Sequence, residues 1–219
     1  MRIGMIGAGF VSQNLAALAI ARGHEVMLSN SRDPKTLFSA GATLGCRTGT
    51  AEEAAAFGDV VLVAVPLTAF DALPAPALAG KVVMDANNYY PQRDGQIGEL
   101  DDHTETTSER LARHLPGARI VKAFNAIRAV ELPRDAKAAG EAGRRALPIA
   151  GDDAEAKRVV MELTDELGYE PFDAGGLAES WRFERAKPAY CAALDRDGLK
   201  VALAAAERDV EVPDGSWRP

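Results

Sequence analysis

The sequence predicts an α/β fold: a doubly wound, mostly parallel sheet followed by a small C-terminal helical segment. Three observations predict it. Apolar β-type runs at 2–7, 25–30, 59–65, 80–86 and 118–124 alternate with helical patterns, which implies parallel strands joined by right-handed crossovers. Asp59-Val60-Val61-Leu62-Val63-Ala64-Val65 has no polar alternation, as expected of a central strand buried on both faces. Gly7-Ala8-Gly9-Phe10-Val11-Ser12 stands between the first apolar run and a helical pattern.

The remaining elements follow in order. The first helix reads Leu15, Leu18, Ala19, Arg22 and stops at Gly23. A short strand is expected around 43–47, ahead of a helix at 50–57. The run 59–65 ends at Pro66, which cannot donate to a ladder. Residues 87–104 read as a long polar loop after a strand's carboxyl end, the side on which open α/β sheets bind ligands. Thr106-x-x-Glu109 gives a capping-box start to a helix at 107–115. A strand at 145–150, a helix at 154–167 and a strand at 169–173 come next. Residues 176–210 read as two helices separated near Asp197-Gly198. The expected organisation is one α/β unit over 1–174 and a helical segment over 175–219.

At 219 residues the chain is one domain, or one domain with a small appendage, and long enough for a substantial core. A net charge of −7 and a pI near 5.1 argue against nucleic acid or an anionic membrane as partner. No apolar stretch approaches the roughly twenty residues needed to span a bilayer. The N-terminus runs straight into a strand without signal-peptide features. Cys46 and Cys191 lie far apart and read as reduced thiols, which suggests a cytoplasmic protein. His24, His103 and His114 form no cluster, so no metal site is expected.

The Gly-rich stretch carries the chemistry. In a strand–turn–helix unit Gly7 makes the tight turn, and Gly9 lets the backbone approach a pyrophosphate. Ser12 takes the third glycine's place, where a small residue suffices for helix–strand packing. Amides at the helix start would face the pyrophosphate, aided by the helix dipole. This is a Rossmann-type dinucleotide motif; the alternative is an ordinary β-turn-α unit with no nucleotide. About twenty residues later, Ser29-Asn30-Ser31-Arg32 stands where an Asp or Glu usually meets the adenosine ribose. A carboxylate would repel a 2′-phosphate, whereas Arg32 would pair with it through two parallel hydrogen bonds. The turn therefore points to NADP rather than NAD, unless Arg32 is simply a solvated arginine. Lys35 is either a second phosphate partner or a solvated lysine.

Val121-Lys122-Ala123-Phe124-Asn125-Ala126-Ile127 adds a second motif, joined by Gly151-Asp152-Asp153 and Asp173-Ala174-Gly175-Gly176-Leu177. With the N-terminal loop, this ordered set resembles the NADPH-dependent F420 reductase family. It is similar also to the soluble reductase domain of the STEAP metalloreductases, and the likeness runs to about residue 185. The resemblance implies hydride transfer between NADPH and a flavin-like acceptor: the deazaflavin F420, FMN or FAD. It also implies a homodimer. The NADP site it implies comprises Gly7, Gly9, Phe10, Val11, Asn30, Ser31, Arg32 and Lys35. The nicotinamide end would lie against Asn125, Ala126 and Ile127, near Val65-Pro66-Leu67 and Asn87. The chain departs from the family in two places. Archaeal members carry His where Asn125 stands, and the deazaflavin enzymes are apolar where this chain has Ala206-Glu207-Arg208-Asp209.

Hydride transfer between stacked rings needs orientation and water exclusion rather than a side-chain acid or base. The sequence accordingly contains no recognisable catalytic constellation. Asn125 either hydrogen-bonds the nicotinamide carboxamide or the acceptor, or caps a turn. Asn87 and Asn88 either contact the nicotinamide ribose or cap a loop. Trp181, Phe183 and Tyr190 read as a core-facing aromatic stripe rather than a flavin platform. Lys122 is expected at an edge or in an ion pair, not in catalysis. Two alternatives compete: reduction of a small imine or carbonyl at a site shared across a dimer, and a non-catalytic NADP(H) sensor. The β-hydroxyacid dehydrogenases, imine reductases and pyrroline-carboxylate reductases share the N-terminal motif. They need a large C-terminal helical domain, and only about forty-five residues follow the last predicted strand.

Overall fold

The computed structural model describes residues 1–213 and Gly215. Asp214 and residues 216–219 of the expected C-terminal segment lie outside the described residues. The first half of the chain builds β1 (Arg2–Ile6), α1 (Phe10–Ala21), β2 (Glu25–Ser29), α2 (Phe38–Leu44), β3 (Arg47–Gly49), α3 (Ala51–Phe57) and β4 (Val60–Val63). Then come α4 (Ala75–Leu78), β5 (Val82–Asp85), the short helices α5 (Pro91–Asp94) and α6 (Gly98–Asp101), α7 (Thr107–His114) and β6 (Arg119–Lys122). The chain continues through α8 (Leu132–Asp135), β7 (Ala146–Gly151), α9 (Ala154–Glu166), β8 (Glu170–Asp173) and α10 (Arg196–Ala204).

The eight strands form one sheet in the order β3-β2-β1-β4-β5-β6-β7-β8. Every neighbouring pair is parallel except β6 and β7, where Val121 faces Gly151 and Lys122 faces Ala150 in antiparallel register. The strand order reverses between β1 and β4, and a crevice opens at such a reversal beyond the strands' carboxyl ends. The four residues of β4 are all buried, so its unbroken apolar run serves both faces of the sheet. One face carries Leu28, Leu62 and Val121 beneath α1 and α9. Val61, Val83 and Leu111 fill the other face beneath α3 and α7.

The capping box at Thr106 and Glu109 is present and starts α7, and a second one at Thr50 and Glu53 starts α3. Other local expectations need correction. Residues 43–47 are not a strand: α2 runs to Leu44, Gly45 ends it in the left-handed conformation, and β3 begins only at Arg47. The polar stretch 87–104 is a loop interrupted by two short helices. These form because the buried Asp94 carboxylate accepts from the Leu67 and Tyr90 amides, while Tyr89 Oη accepts from the Ile97 amide. The expected break at Asp197-Gly198 is instead the first turn of α10, where the Asp195 side chain caps the Gly198 amide. The other expected helix of that stretch is a 3-10 segment, Leu177–Phe183. It packs against β6, β7 and α7, and Phe183 joins Ala126, Ala146 and Leu199 in a third apolar cluster.

Candidate functional site

The β1–α1 turn is shaped by two glycines with different duties. Gly7 has φ +102°, and a Cβ there would lie 2.2 Å from the Ala64 carbonyl oxygen of the neighbouring turn. Its amide donates to the Ser29 carbonyl at 3.0 Å, which locks the turn to β2. At Gly9, by contrast, a Cβ would meet nothing within 4 Å. That residue is the N-cap of α1, and no side chain caps the helix. The first-turn amides of Phe10, Val11 and Ser12 have no hydrogen-bond partner among the described residues, the arrangement that receives an anion. Ser12 is fully buried, as packing of helix on strand demands. Phe10 is 78% exposed, and Val11 is half-buried at the start of a cleft.

The turn after β2 divides its polar groups. The Ser29 hydroxyl is buried and donates to the Met5 carbonyl at 2.9 Å, so it serves the fold. Asn30 accepts from the Arg32 amide and donates to the Thr36 hydroxyl, which folds the turn on itself. Asp33 caps the following 3-10 turn through the Lys35 amide. Ser31, Arg32 and Lys35 are exposed, and among the described residues neither the Arg32 guanidinium nor the Lys35 ammonium has a hydrogen bond or ion pair. Two unpaired cations in one turn of an acidic chain make a local positive site. Its chemistry suits a 2′-phosphate. Together with the open space at Gly9 and the uncapped α1, the residues present fit NADP.

Beyond β4, the Val65 amide donates to Asn87 Oδ1 at 2.8 Å and the Leu67 amide to Asp94 Oδ1 at 3.2 Å. The Leu67 side chain sits in the core, Val65 is half-buried beside Gly7, and Pro66 is exposed. Asn87 donates to Asp85 from both its backbone and its side-chain nitrogen, so its polar atoms are engaged within the protein. Burial alone would raise the Asp94 carboxyl. Arg93 and the two amides outweigh it and hold the group below the usual carboxylate range.

A cleft of about 660 Å³ lies beyond β5 and β6, lined by Val11, Asn88, Asn125, Ile127, Tyr90 and Tyr190 among others. Asn125 Nδ2 donates to Asn88 Oδ1 and to the Phe183 carbonyl, which fixes the amide. Its Oδ1 is buried with no hydrogen-bond partner among the described residues. Buried acceptors are normally paired, so this one, on a residue that lines the cleft, marks a position that a ligand N–H would complete. Ala126 is buried behind the wall, where its carbonyl accepts from the Cys191 amide. Phe124 lines the cleft with φ +60°, an uncommon conformation for a side chain of that size. Tyr90 and Tyr190 face each other with hydroxyl oxygens 2.5 Å apart, joining α5's approach to the C-terminal segment. Burial pushes the Tyr190 phenol well above its ordinary value and the neighbouring Cys191 thiol up to about 11, so both stay protonated.

Of the two places expected for Lys122, the structure shows the ion pair and not the edge. The residue is fully buried in a central strand, where Nζ lies 3.1 Å from Glu184 Oε1 and 3.6 Å from Asp85 Oδ2. Nζ also donates to the Asn87 carbonyl, Thr107 Oγ1 and Ser108 Oγ. All three of the aromatic trio are buried as expected, and Tyr190 also lines the cleft. Sequence reasoning missed Tyr90, Arg128 and Arg185 as cleft residues. Arg128 follows directly on Asn125-Ala126-Ile127 past a strand's carboxyl end, and that position was its available signal. No group of His, Cys, Asp or Glu among the described residues could hold a metal ion. No helix among them is long and apolar enough to cross a membrane.

Residues 2–89 match the family model described as NADP oxidoreductase, coenzyme F420-dependent. A hypothetical protein from Sinorhizobium meliloti is 31% identical, and the match covers 82% of this chain and 87% of that one with a TM-score of 0.71. This chain belongs to the coenzyme F420-dependent NADP oxidoreductase family. That family is one of NADP oxidoreductases. A putative F420-dependent NADP-reductase from Arthrobacter sp. FB24 has the same fold, with a TM-score of 0.71 at 26% identity over 82% of this chain and 87% of that one. Metalloreductase STEAP3 of Rattus norvegicus is 33% identical over 188 residues, 84% of this chain. The chain spans only 36% of that reductase's length.

Proposed function

We propose that this family member passes a hydride between NADPH and a flavin-like acceptor, whether the deazaflavin F420, FMN or FAD. The observation that carries the reading is the cleft that starts at Val11, beside the dinucleotide cradle, and extends past Asn125 to Tyr190. At about 660 Å³ it has room for a nicotinamide and part of a second ring. Bound NADPH would supply the hydride from its nicotinamide ring. The α1 amides at Gly9 would receive the pyrophosphate, and Arg32 with Lys35 would hold the 2′-phosphate. Asn125 Oδ1 would accept from the nicotinamide carboxamide, which sets the ring's orientation. Ile127 and Phe124 supply the apolar wall that keeps water from the rings. The homodimer implied by the resemblance belongs to the same proposal, with sedimentation of the full chain as its test.

A second reading, reduction of a small imine or carbonyl, is favoured by one observation. The hydrogen-bonded Tyr90–Tyr190 pair puts a proton source in the same cleft, and such a reduction needs a proton as well as a hydride. Loss of NADPH absorbance, measured with F420, FMN, FAD and a cyclic imine side by side, separates the readings. Turnover with a flavin-type acceptor is expected. Turnover with the imine alone would replace the first reading by the second. Tight NADP binding without turnover of any acceptor would favour a sensor.

A further inference from the structure

We propose that the Arg128 guanidinium receives the phosphate of the flavin-type acceptor; this rests on the flavin-type reading above. Behind the cleft wall, Arg128, Arg134 and Arg145 surround Glu131 and Asp135. Glu131 Oε1 accepts from Arg128 Nε at 2.9 Å, from Arg128 Nη2, and from Arg134 Nη2 at 3.3 Å. Glu131 Oε2 accepts from Arg145 Nη1 at 2.8 Å, and Asp135 pairs with Arg134 and Arg145. Three guanidiniums thus share two carboxylates, a surplus of one positive charge. Arg145 is buried within the cluster and the Arg134 side chain is exposed. Arg128 is the member that lines the cleft. Its two contacts to Glu131 fix the plane of the guanidinium, while Nη1 has no hydrogen bond among the described residues. A pre-oriented donor loses little entropy when an anion arrives.

The rest of the cleft agrees. Arg185, packed over the Tyr90 ring, also lines it, with Gln92 and Asn88 as neutral hydrogen-bonding groups. Not one Asp or Glu is among the lining residues, although the chain as a whole carries a net charge of −7. A neutral acceptor such as riboflavin gains nothing from this arrangement. FMN differs from riboflavin by the phosphate alone, so the two make a clean comparison.

The test compares kcat/KM for FMN and riboflavin with NADPH as donor, in the full chain, in Arg128→Gln and in Arg128→Lys, with the NADPH Kd measured in parallel. Wild type should favour FMN by about tenfold or more, as expected of hydrogen bonds to a charged group. Arg128→Gln should bring that ratio down to about twofold or less, with the charge-assisted bonds gone. Equal use of the two flavins by wild type, or an undiminished ratio in Arg128→Gln, would overturn the proposal. A weakened NADPH Kd with the ratio intact would assign the anion to the dinucleotide and overturn it as well. If Arg128→Gln fails to fold, Arg128→Lys decides, since it keeps the charge but loses the fork; a ratio equal to wild type would overturn the proposal. No turnover with FMN, riboflavin or F420 would remove the flavin-type reading itself, a result distinct from equal turnover.

Discussion

Asn87 Oδ1 accepts a 2.8 Å hydrogen bond from the Val65 amide, so the turns that follow β4 and β5 move as one piece. Asp85 holds Asn87 in that position from below, through two bonds to its Oδ1. Asn87→Ala removes the acceptor of a part-buried amide, at a cost of about 1–3 kcal/mol. Urea denaturation should read that loss, and NADPH titration should show weaker binding because the turn beside Gly7 has lost its tether. Wild-type values in both measurements would mean that the two turns are held independently.

Arg32→Ala should weaken NADPH binding by about 1.5–3 kcal/mol and leave NADH binding nearly unchanged, since only the former has a charge to pair with. The guanidinium has no ion pair among the described residues to release, so its removal should leave thermal stability where it was. Equal losses for both cofactors would dismiss the 2′-phosphate role.

Gly9→Val should abolish dinucleotide binding while sparing the fold. A Cβ at this position meets no protein atom within 4 Å, so the new side chain occupies only the space through which a pyrophosphate approaches. Circular dichroism and fluorescence titration together check both halves of this expectation. Retained NADPH affinity would place the pyrophosphate elsewhere.

Acid should destabilise the protein through the Glu131 and Asp135 cluster. Burial opposes their ionisation, yet the surrounding arginines hold both carboxyls below the usual range. A carboxyl depressed in the folded state adds stability above its unfolded pKa of about 4–4.5, and that stability is lost as pH falls through the folded value. Glu131→Gln should therefore be less stable than wild type at neutral pH and lose less on acidification. A parallel pH profile for the two proteins would show that Glu131 takes no part in acid unfolding.

The two turns of the candidate dinucleotide cradle were legible because their shape is local. Gly7 and Gly9, and the turn from Asn30 to Arg32, act through backbone shape and charge within a few residues of one another. The strand–helix alternation was legible for the same reason, since each β-α unit carries its own periodicity. The cleft beyond β5 and β6 depends on distant partners. Tyr90 and Tyr190 meet across a hundred residues of chain, and no periodicity signals their contact. For Lys122 the sequence left an edge position or an ion pair open, because a lysine inside an apolar run usually keeps its ammonium in water or beside a carboxylate. Its partners Asp85, Thr107, Ser108 and Glu184 come from three other segments. The stretch 87–104 has the composition of a loop, and it is ordered by the bonds of Asp94 to the Leu67 and Tyr90 amides and of Tyr89 Oη to the Ile97 amide.

The fully buried Lys122 ammonium also bears on how the cleft exchanges its contents. Glu184 belongs to the segment that forms the cleft's C-terminal wall, and swinging that wall outward would strand the lysine without this partner. Separating a buried ion pair in this way costs about 3–5 kcal/mol. Amide hydrogens from Phe183 to Tyr190 should accordingly exchange with solvent nearly as slowly as those of β6, because both report the same opening event. Slow exchange there would make the wall part of the sheet's scaffold rather than a gate.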